Sequence, residues 1–407
     1  MKLFYSESNF SISYKQLIED INRDKTYKYI NNHNDYYSIF RDLIVSILNN
    51  SEIIVIDNDL SLQEVEKLKI SENDLSLFIE CNFPDIKDLS DLLERLNNSP
   101  NWQISLYTSG TTGIPKKITH NFSTITRMVK ISKDRKNDVW GFAYNPTHIA
   151  GLQVFFQALL NLNHIVRLFQ LPIKDIYENI EKFQITNISA TPTFYRLIKD
   201  PNRKFFSVKR ISSGGEKFDT KLFNDLKIIF PNAKILNIYA STEFGTLFAS
   251  EGENFIVKAE YKNKIKVLNS ELYVHHSLLG KISEEYLLDD WYKTGDKVEI
   301  IKEEPLTIKI LGRESDFVNI GGYKVLTTEV EEIINSIPGV VKSKVYPKKN
   351  SVTGNVLACE VEVKDKTLTD FEIFTILSKK IQDYKIPRLI KIVDKIDITK
   401  SGKIKRL

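Results

Sequence analysis

Between Ile104 and Tyr239 the chain alternates two kinds of apolar segment. Short β-rich runs at 104–107, 165–169, 185–190, 208–212 and 235–239 are separated by stretches with helical spacing at 152–162, 192–199 and 218–230. Such alternation predicts a parallel sheet with crossover helices, an α/β class. Ligands in these sheets bind beyond the carboxyl ends of strands, so the turns after Tyr107, Ser212 and Tyr239 are where a site belongs. After Glu253 the rhythm shifts to short antiparallel-type runs at 255–257, 265–267 and 271–274, which predicts a β subdomain over about 253–311. From Asp316 onward strands (340–346, 357–363, 390–393) mix with helices (329–336, 370–380). The expected organisation is a large N-terminal domain, 1–312, and a small α+β C-terminal domain, 313–407, meeting at Gly312-Arg313-Glu314-Ser315.

A length of 407 residues, 42% of them apolar and 27% charged, suits a packed enzyme of more than one domain. The net charge of +4 is spread along the chain, so charge gives no reason to expect nucleic acid as a partner. Cys81 and Cys359 lie far apart without CxxC spacing, which supports neither a disulfide framework nor a zinc site. Neighbouring His275 and His276 are expected to face opposite sides of a strand and so not to share a metal. No apolar run approaches the ~20 residues of a membrane-spanning helix. The first residues, Met1 to Glu7, do not read as a signal peptide. A cytoplasmic protein is the expectation.

The run Tyr107-Thr108-Ser109-Gly110-Thr111-Thr112-Gly113-Ile114-Pro115-Lys116 is a strand entering a loop of glycines and hydroxyls that ends in lysine. Glycines let backbone N–H groups approach phosphate oxygens, hydroxyls add donors and lysine adds charge, so it reads as a polyphosphate cradle. It is not a Walker A loop, because Pro115 stands where that spacing needs glycine. Four more segments follow: Asn237-Ile238-Tyr239-Ala240-Ser241-Thr242-Glu243, Tyr292-Lys293-Thr294-Gly295-Asp296, Gly312 to Lys324, and Thr399-Lys400-Ser401-Gly402-Lys403.

Together and in this order, these five segments resemble the adenylate-forming superfamily of acyl-CoA synthetases, peptide-synthetase adenylation domains and luciferases. The resemblance covers about 106–407, with the amino-terminal segment matching weakly. It implies an ATP site formed by Thr108, Ser109, Gly110, Thr111, Thr112, Gly113, Lys116, Gly215, Glu216, Tyr239, Ala240, Ser241, Asp296 and Arg313. Tyr239 would stack on adenine, Asp296 with Arg313 would hold the ribose, and Thr242 would meet the α-phosphate. Glu243 would hold Mg²⁺, and Lys403 would be the catalytic lysine of a mobile C-terminal domain. Gly321 and Gly322 would border the tunnel for the thiol arm. Ala240 replaces the family's usual glycine.

The implied reaction converts a carboxylic acid to an acyl-AMP with release of pyrophosphate, then transfers the acyl group to the thiol of CoA. Asn145-Pro146-Thr147-His148-Ile149-Ala150-Gly151 resembles the Pro-x-x-His-x-x-Gly pattern of acyl- and aryl-CoA synthetases, where amino-acid-activating relatives carry Phe-Asp. A non-amino acid is therefore expected, with His148 and Gly214 as acid-pocket candidates, although His148 reads equally as a structural residue ahead of a core helix. Thr191-Pro192-Thr193-Phe194 is a further candidate wall. Two alternatives stand: a ligase that loads the phosphopantetheine of a carrier protein, and a catalytically silent nucleotide-binding homologue.

Overall fold

The computed structural model describes residues 2–58, 60–108, 115–320, 323–350, 354–364, 368–399 and 403–405. Its centre is an eight-stranded sheet in the order Gly245–Ser250, Lys234–Ser241, Arg210–Gly214, Asn187–Ala190, Val139–Phe142, His164–Arg167, Leu3–Glu7, Phe10–Ser13. The outermost pair at each end is antiparallel and every inner pairing is parallel. A parallel sheet must be covered on both faces. Helix Ile149–Leu159 shares one apolar core with Phe4, Phe40, Trp102 and Phe142. Helices Ile173–Lys182, Pro192–Leu197 and Thr220–Ile229 share another with Ile188, Ile211 and Ile235.

The local chemistry sets where these helices begin. Thr191 ends its strand in extended geometry and its side chain accepts from the Phe194 N–H at 3.1 Å, while Pro192 opens the helix without wasting a donor. Asp219 caps the next crossover helix through the Leu222 N–H at 2.7 Å. Gly151 lets its helix press against the preceding turn, since a methyl there would stand 2.3 Å from the Asn145 carbonyl oxygen.

One expectation about strands is corrected. The 104–107 run lies outside the central sheet. Strand Gln103–Thr108 pairs parallel with Ile53–Val55 and antiparallel with Lys116–Asn121, its own continuation beyond the loop. Apolar patterning does not say which sheet a strand joins. Leu3–Glu7, from the segment without a motif, instead pairs parallel with His164–Arg167 inside the central sheet.

A six-stranded sheet follows, with Asn254–Ile256, Thr307–Arg313, Trp291–Lys302, Glu271–His275 and Ile265–Leu268 in order and Leu287–Leu288 added to Trp291–Lys302. All its pairings are antiparallel. This strand path stops at His275, and His276 opens a 3₁₀ turn, so the two rings approach to 4.4 Å instead of facing apart. Farther on, Val340–Asn350, Gly354–Val363 and Leu389–Val393 form a three-stranded sheet. Helices Thr327–Asn335 and Asp370–Ser378 pack on it around Val330, Ile334, Val345, Val361, Ile373 and Leu377. Among the described residues no helix is long and apolar enough to cross a membrane.

Candidate active site

The carboxyl ends of Arg210–Gly214 and Lys234–Ser241 open into a cleft of about 630 Å³, whose other walls include 296, residues of 309–316, one face of helix Thr327–Asn335 and the terminal segment. Gly215, Glu216, Tyr239, Asp296, Arg313 and Lys403, drawn from separate sequence segments, all line it.

Asp296 is the hub. The Tyr239 hydroxyl donates to its Oδ2 at 2.6 Å, and Arg313 Nε stands 2.9 Å from its Oδ1. Register explains the second contact, since Asp296 and Arg313 are paired residues on adjacent antiparallel strands. Burial pushes the Asp296 carboxyl above its ordinary range, opposed by the Arg313 charge and the Tyr239 hydrogen bond. Burial also raises the Tyr239 hydroxyl well above the usual tyrosine value. The Tyr239 ring is held from behind by Phe248, stacked at 5.8 Å and 19°, and by Phe244 at 5.7 Å.

Lys403 reaches this hub from the end of the chain. Its N–H donates to Thr399 Oγ1 at 3.1 Å, Lys405 N–H donates to the Asp397 carbonyl at 2.9 Å, and Ile398 bridges Ile404, so the pairing of 397–399 with 403–405 presents the lysine. Its stem lies over Gly215, which adopts φ +84°; a methyl there would stand 2.9 Å from Lys403 Cε. Lys403 remains exposed as a residue, yet desolvation around the ammonium lowers its pKa, against the pull of Glu216, Asp296 and Glu243.

Glu243 lies at the margin. The Tyr292 hydroxyl donates to its Oε1 at 2.8 Å, and Ser241 Oγ accepts from its N–H at 3.2 Å. His120 secures the same turn: burial lowers its pKa, so the neutral ring donates from Nε2 to the Thr242 carbonyl at 2.7 Å. Mg²⁺ is a hard cation that binds through one or two carboxylates plus phosphate and water oxygens. Glu243, half-buried and aimed by Tyr292, fits that demand. Among the described residues no group of three or more His, Cys, Asp or Glu side chains forms a closed cage.

Between Thr108 and Lys116, Ser109, Gly110, Thr111, Thr112 and Gly113 lie outside the described residues, as do Gly321 and Gly322. The Lys116 ammonium rests 4.1 Å above the Tyr286 ring and 5.9 Å from that of Tyr292. Ala240 lines the cleft beside Tyr239, and Gly214 ends its strand against the Ile238 backbone. His148 does not line the cleft. It precedes helix Ile149–Leu159 with Nε2 3.5 Å from Asp57 Oδ2. Asp57 also accepts from Asn145 Nδ2 at 2.8 Å and from the Thr147 hydroxyl. Sequence reasoning missed Asp57, an acidic residue after a short strand with no motif around it. It also missed the Tyr292 hydroxyl, although the ribose motif contained that residue.

The family model described as AMP-binding enzyme matches residues 48–275, and the one described as AMP-binding enzyme C-terminal domain matches 329–403. A 2-succinylbenzoate–CoA ligase of Listeria monocytogenes is 26% identical over 75% of this chain and 70% of its own length. The 4-coumarate:CoA ligase 1 of Petunia hybrida is 25% identical over 86% of this chain and 71% of its own. Among solved structures, o-succinylbenzoate CoA synthetase of Bacillus subtilis with its acyl-adenylate intermediate superposes with a TM-score of 0.70 at 17% identity, covering 99% of this chain and 94% of that one. ATP-bound MatB of Rhodopseudomonas palustris gives 0.74 at 17% identity with the same coverage.

Proposed function

Because the chain belongs to the AMP-binding enzyme family, we propose that it joins a carboxylic acid to the thiol of CoA in two steps driven by ATP. In the first, a carboxylate oxygen attacks the α-phosphorus of ATP, giving acyl-AMP and pyrophosphate. In the second, the CoA sulfur attacks the acyl carbon, AMP leaves with the bonding electrons and the thiol proton passes to solvent. An aryl or acyl acid without an α-amino group is the substrate class, supported by the names of the two CoA ligases above and by the 145–151 segment.

The observation that carries this reading is the approach of Lys403 to the Tyr239–Asp296–Arg313 network. A carboxylate offers roughly four acceptor positions. Tyr239 and Arg313 occupy two at Asp296, which leaves two for the paired hydroxyls of a ribose. The Tyr239 ring lines the cleft beside them as a surface for adenine. Negative charge then grows on phosphoryl oxygens, where fixed cations and N–H donors are needed rather than a base. Mg²⁺ on Glu243 would add Lewis-acid stabilisation of that charge. Residues 313–407 form the unit that carries Lys403 in and afterwards swings it out. The cytoplasm, where ATP and CoA are present, is the compartment we propose, and Cys81 and Cys359 are both unpaired.

An ammonium ~4 Å from the developing charge is worth roughly 4 kcal/mol at an effective dielectric near 20. That corresponds to about 10³ in rate. Acid-dependent ATP–pyrophosphate exchange, run on benzoate, 4-coumarate, 2-succinylbenzoate, butyrate and octanoate, should therefore be present in the wild-type chain. It should fall about 10³-fold in Lys403→Ala, with folding unchanged. Exchange that is independent of acid, or undiminished in the variant, would contradict the assignment.

A further inference from the structure

Glu216 lines the cleft, and its two oxygens answer to different parts of the molecule. Oε2 accepts from the Thr193 N–H at 3.0 Å and the Thr193 hydroxyl at 2.7 Å. Oε1 accepts from the Ile404 N–H at 3.0 Å. Thr193 sits buried in the first turn of helix Pro192–Leu197, on the candidate acid-pocket wall. Ile404 is the residue after the catalytic lysine. Gly215, immediately before Glu216, supplies the floor on which the Lys403 stem lies.

We infer that Glu216 is a positioning residue that seats Lys403 for the adenylation step and ties that seating to the acid-pocket wall at Thr193. The inference rests on the two-step reaction proposed above. An acid that orders the 191–194 turn fixes Oε2, which fixes the carboxylate plane and hence the acceptor offered to Ile404. When the small unit swings away for the thiol step, the Ile404 bond is lost and the Thr193 bonds remain. Two outer ties, Lys217 to Glu332 at 2.5 Å and Lys221 Nζ to the Asn335 carbonyl at 2.8 Å, also hold the small unit. Losing the Glu216 contact therefore loosens the lysine segment without releasing the whole unit.

Glu216→Gln separates the two sides. An amide has one acceptor oxygen and one donor NH₂. Thr193 presents two donors, so the oxygen stays with it, and the NH₂ then faces the Ile404 N–H, donor against donor. Pyrophosphate exchange, on whichever acid of the panel serves the wild type best, should fall about 10- to 100-fold, the size expected for one hydrogen bond to a charged group. Thioester formation from supplied acyl-AMP and CoA should change by less than about twofold, since Lys403 is withdrawn in that step. Independently of turnover, hydrogen exchange at the Ile404 amide should speed up in the ligand-free variant by at least about tenfold. Ile404→Pro deletes the donor from the other end, and combining it with Glu216→Gln should be no worse than either alone. Equal loss in both half-reactions, or an Ile404 amide whose exchange is unaltered, would overturn the inference. Failure of the wild-type chain to catalyse exchange with any acid would instead strike the proposed reaction itself, and this inference with it.

Discussion

Replacing Gly215 by alanine asks whether the position of Lys403, and not only its presence, sets the rate of the first step. The substitution has two separable costs. Gly215 sits at φ +84°, and an L-residue in the left-handed region costs about 1–2 kcal/mol on folding, whatever stands at 403. The new methyl would also lie 2.9 Å from Lys403 Cε and 3.5 Å from Nζ. Carbon atoms prefer separations of ~3.5–4.0 Å, so the lysine stem, being the flexible partner, must retreat by roughly 0.5–1 Å. A misplacement of about 1 Å at a reacting centre costs on the order of 10²-fold. Gly215→Ala should therefore lose roughly 10² in pyrophosphate exchange and about 1–2 kcal/mol in stability. In a Lys403→Ala background there is no stem to displace. Adding Gly215→Ala there should lower exchange by less than about twofold, while the same loss of stability persists. Exchange rates and urea midpoints of the four proteins close the cycle. Additive logarithms of the exchange rates would refute the reasoning, because they would mean that the glycine acts independently of the lysine.

Tyr292→Phe keeps the ring and removes only the hydroxyl that donates to Glu243 at 2.8 Å. Outer-shell partners of this kind are worth about tenfold or more in metal affinity, so the Mg²⁺ concentration for half-maximal exchange, and calorimetric binding of Mg·ATP, should weaken by about that factor while the exchange rate at saturating Mg²⁺ holds; an unshifted titration would count against it. Asp57 gives a pH test. Burial alone would raise its carboxyl, but the nearby His148 ring and hydrogen bonds from Thr147 and Asn145 together hold it at about 2, below the ordinary 3.8. A carboxyl lowered in the fold contributes stability above its unfolded pKa and loses it as pH falls through the folded one. About 2 kcal/mol of the wild type's stability should therefore disappear between roughly pH 5 and pH 2 through this group, and Asp57→Asn should lack that component in urea titrations across the range.

The chemistry was easier to read from the chain than the geometry that supports it. Tyr239, Asp296, Arg313 and Lys403 lie in short runs that the sequence offers as nucleotide contacts without knowledge of the fold, and the structure brings these four residues to one cleft. Helical spacing likewise places helices over 192–199 and 218–230, and the structure begins them at Pro192 and Thr220, where Thr191 and Asp219 supply caps and Pro192 a preset angle. What was not legible depends on pairing across long separations. The bond from Asn145 to Asp57 joins residues 88 apart, and that from Ile404 to Glu216 joins residues 188 apart. Neither leaves a mark on its neighbours in sequence. The 104–107 run was read correctly as a strand and assigned to the wrong sheet for the same reason: period-2 patterning reports burial, and burial is alike in both sheets.

Strand Leu3–Glu7 enters the central sheet between Phe10–Ser13 and His164–Arg167. During synthesis the first of those neighbours emerges at once and the second only some 160 residues later. Until then the growing polypeptide carries a two-stranded ribbon with one unmatched rim, and Phe4 and Tyr5, wholly buried in the finished protein, have incomplete surroundings. Non-local closure of this kind slows folding and leaves such rims open to partners from other chains. Assembly of the cleft around Asp296 on the far side of the same sheet is thus separated in time from completion of the Leu3–Glu7 edge, and yield at high expression should depend on how fast residues 164–167 arrive.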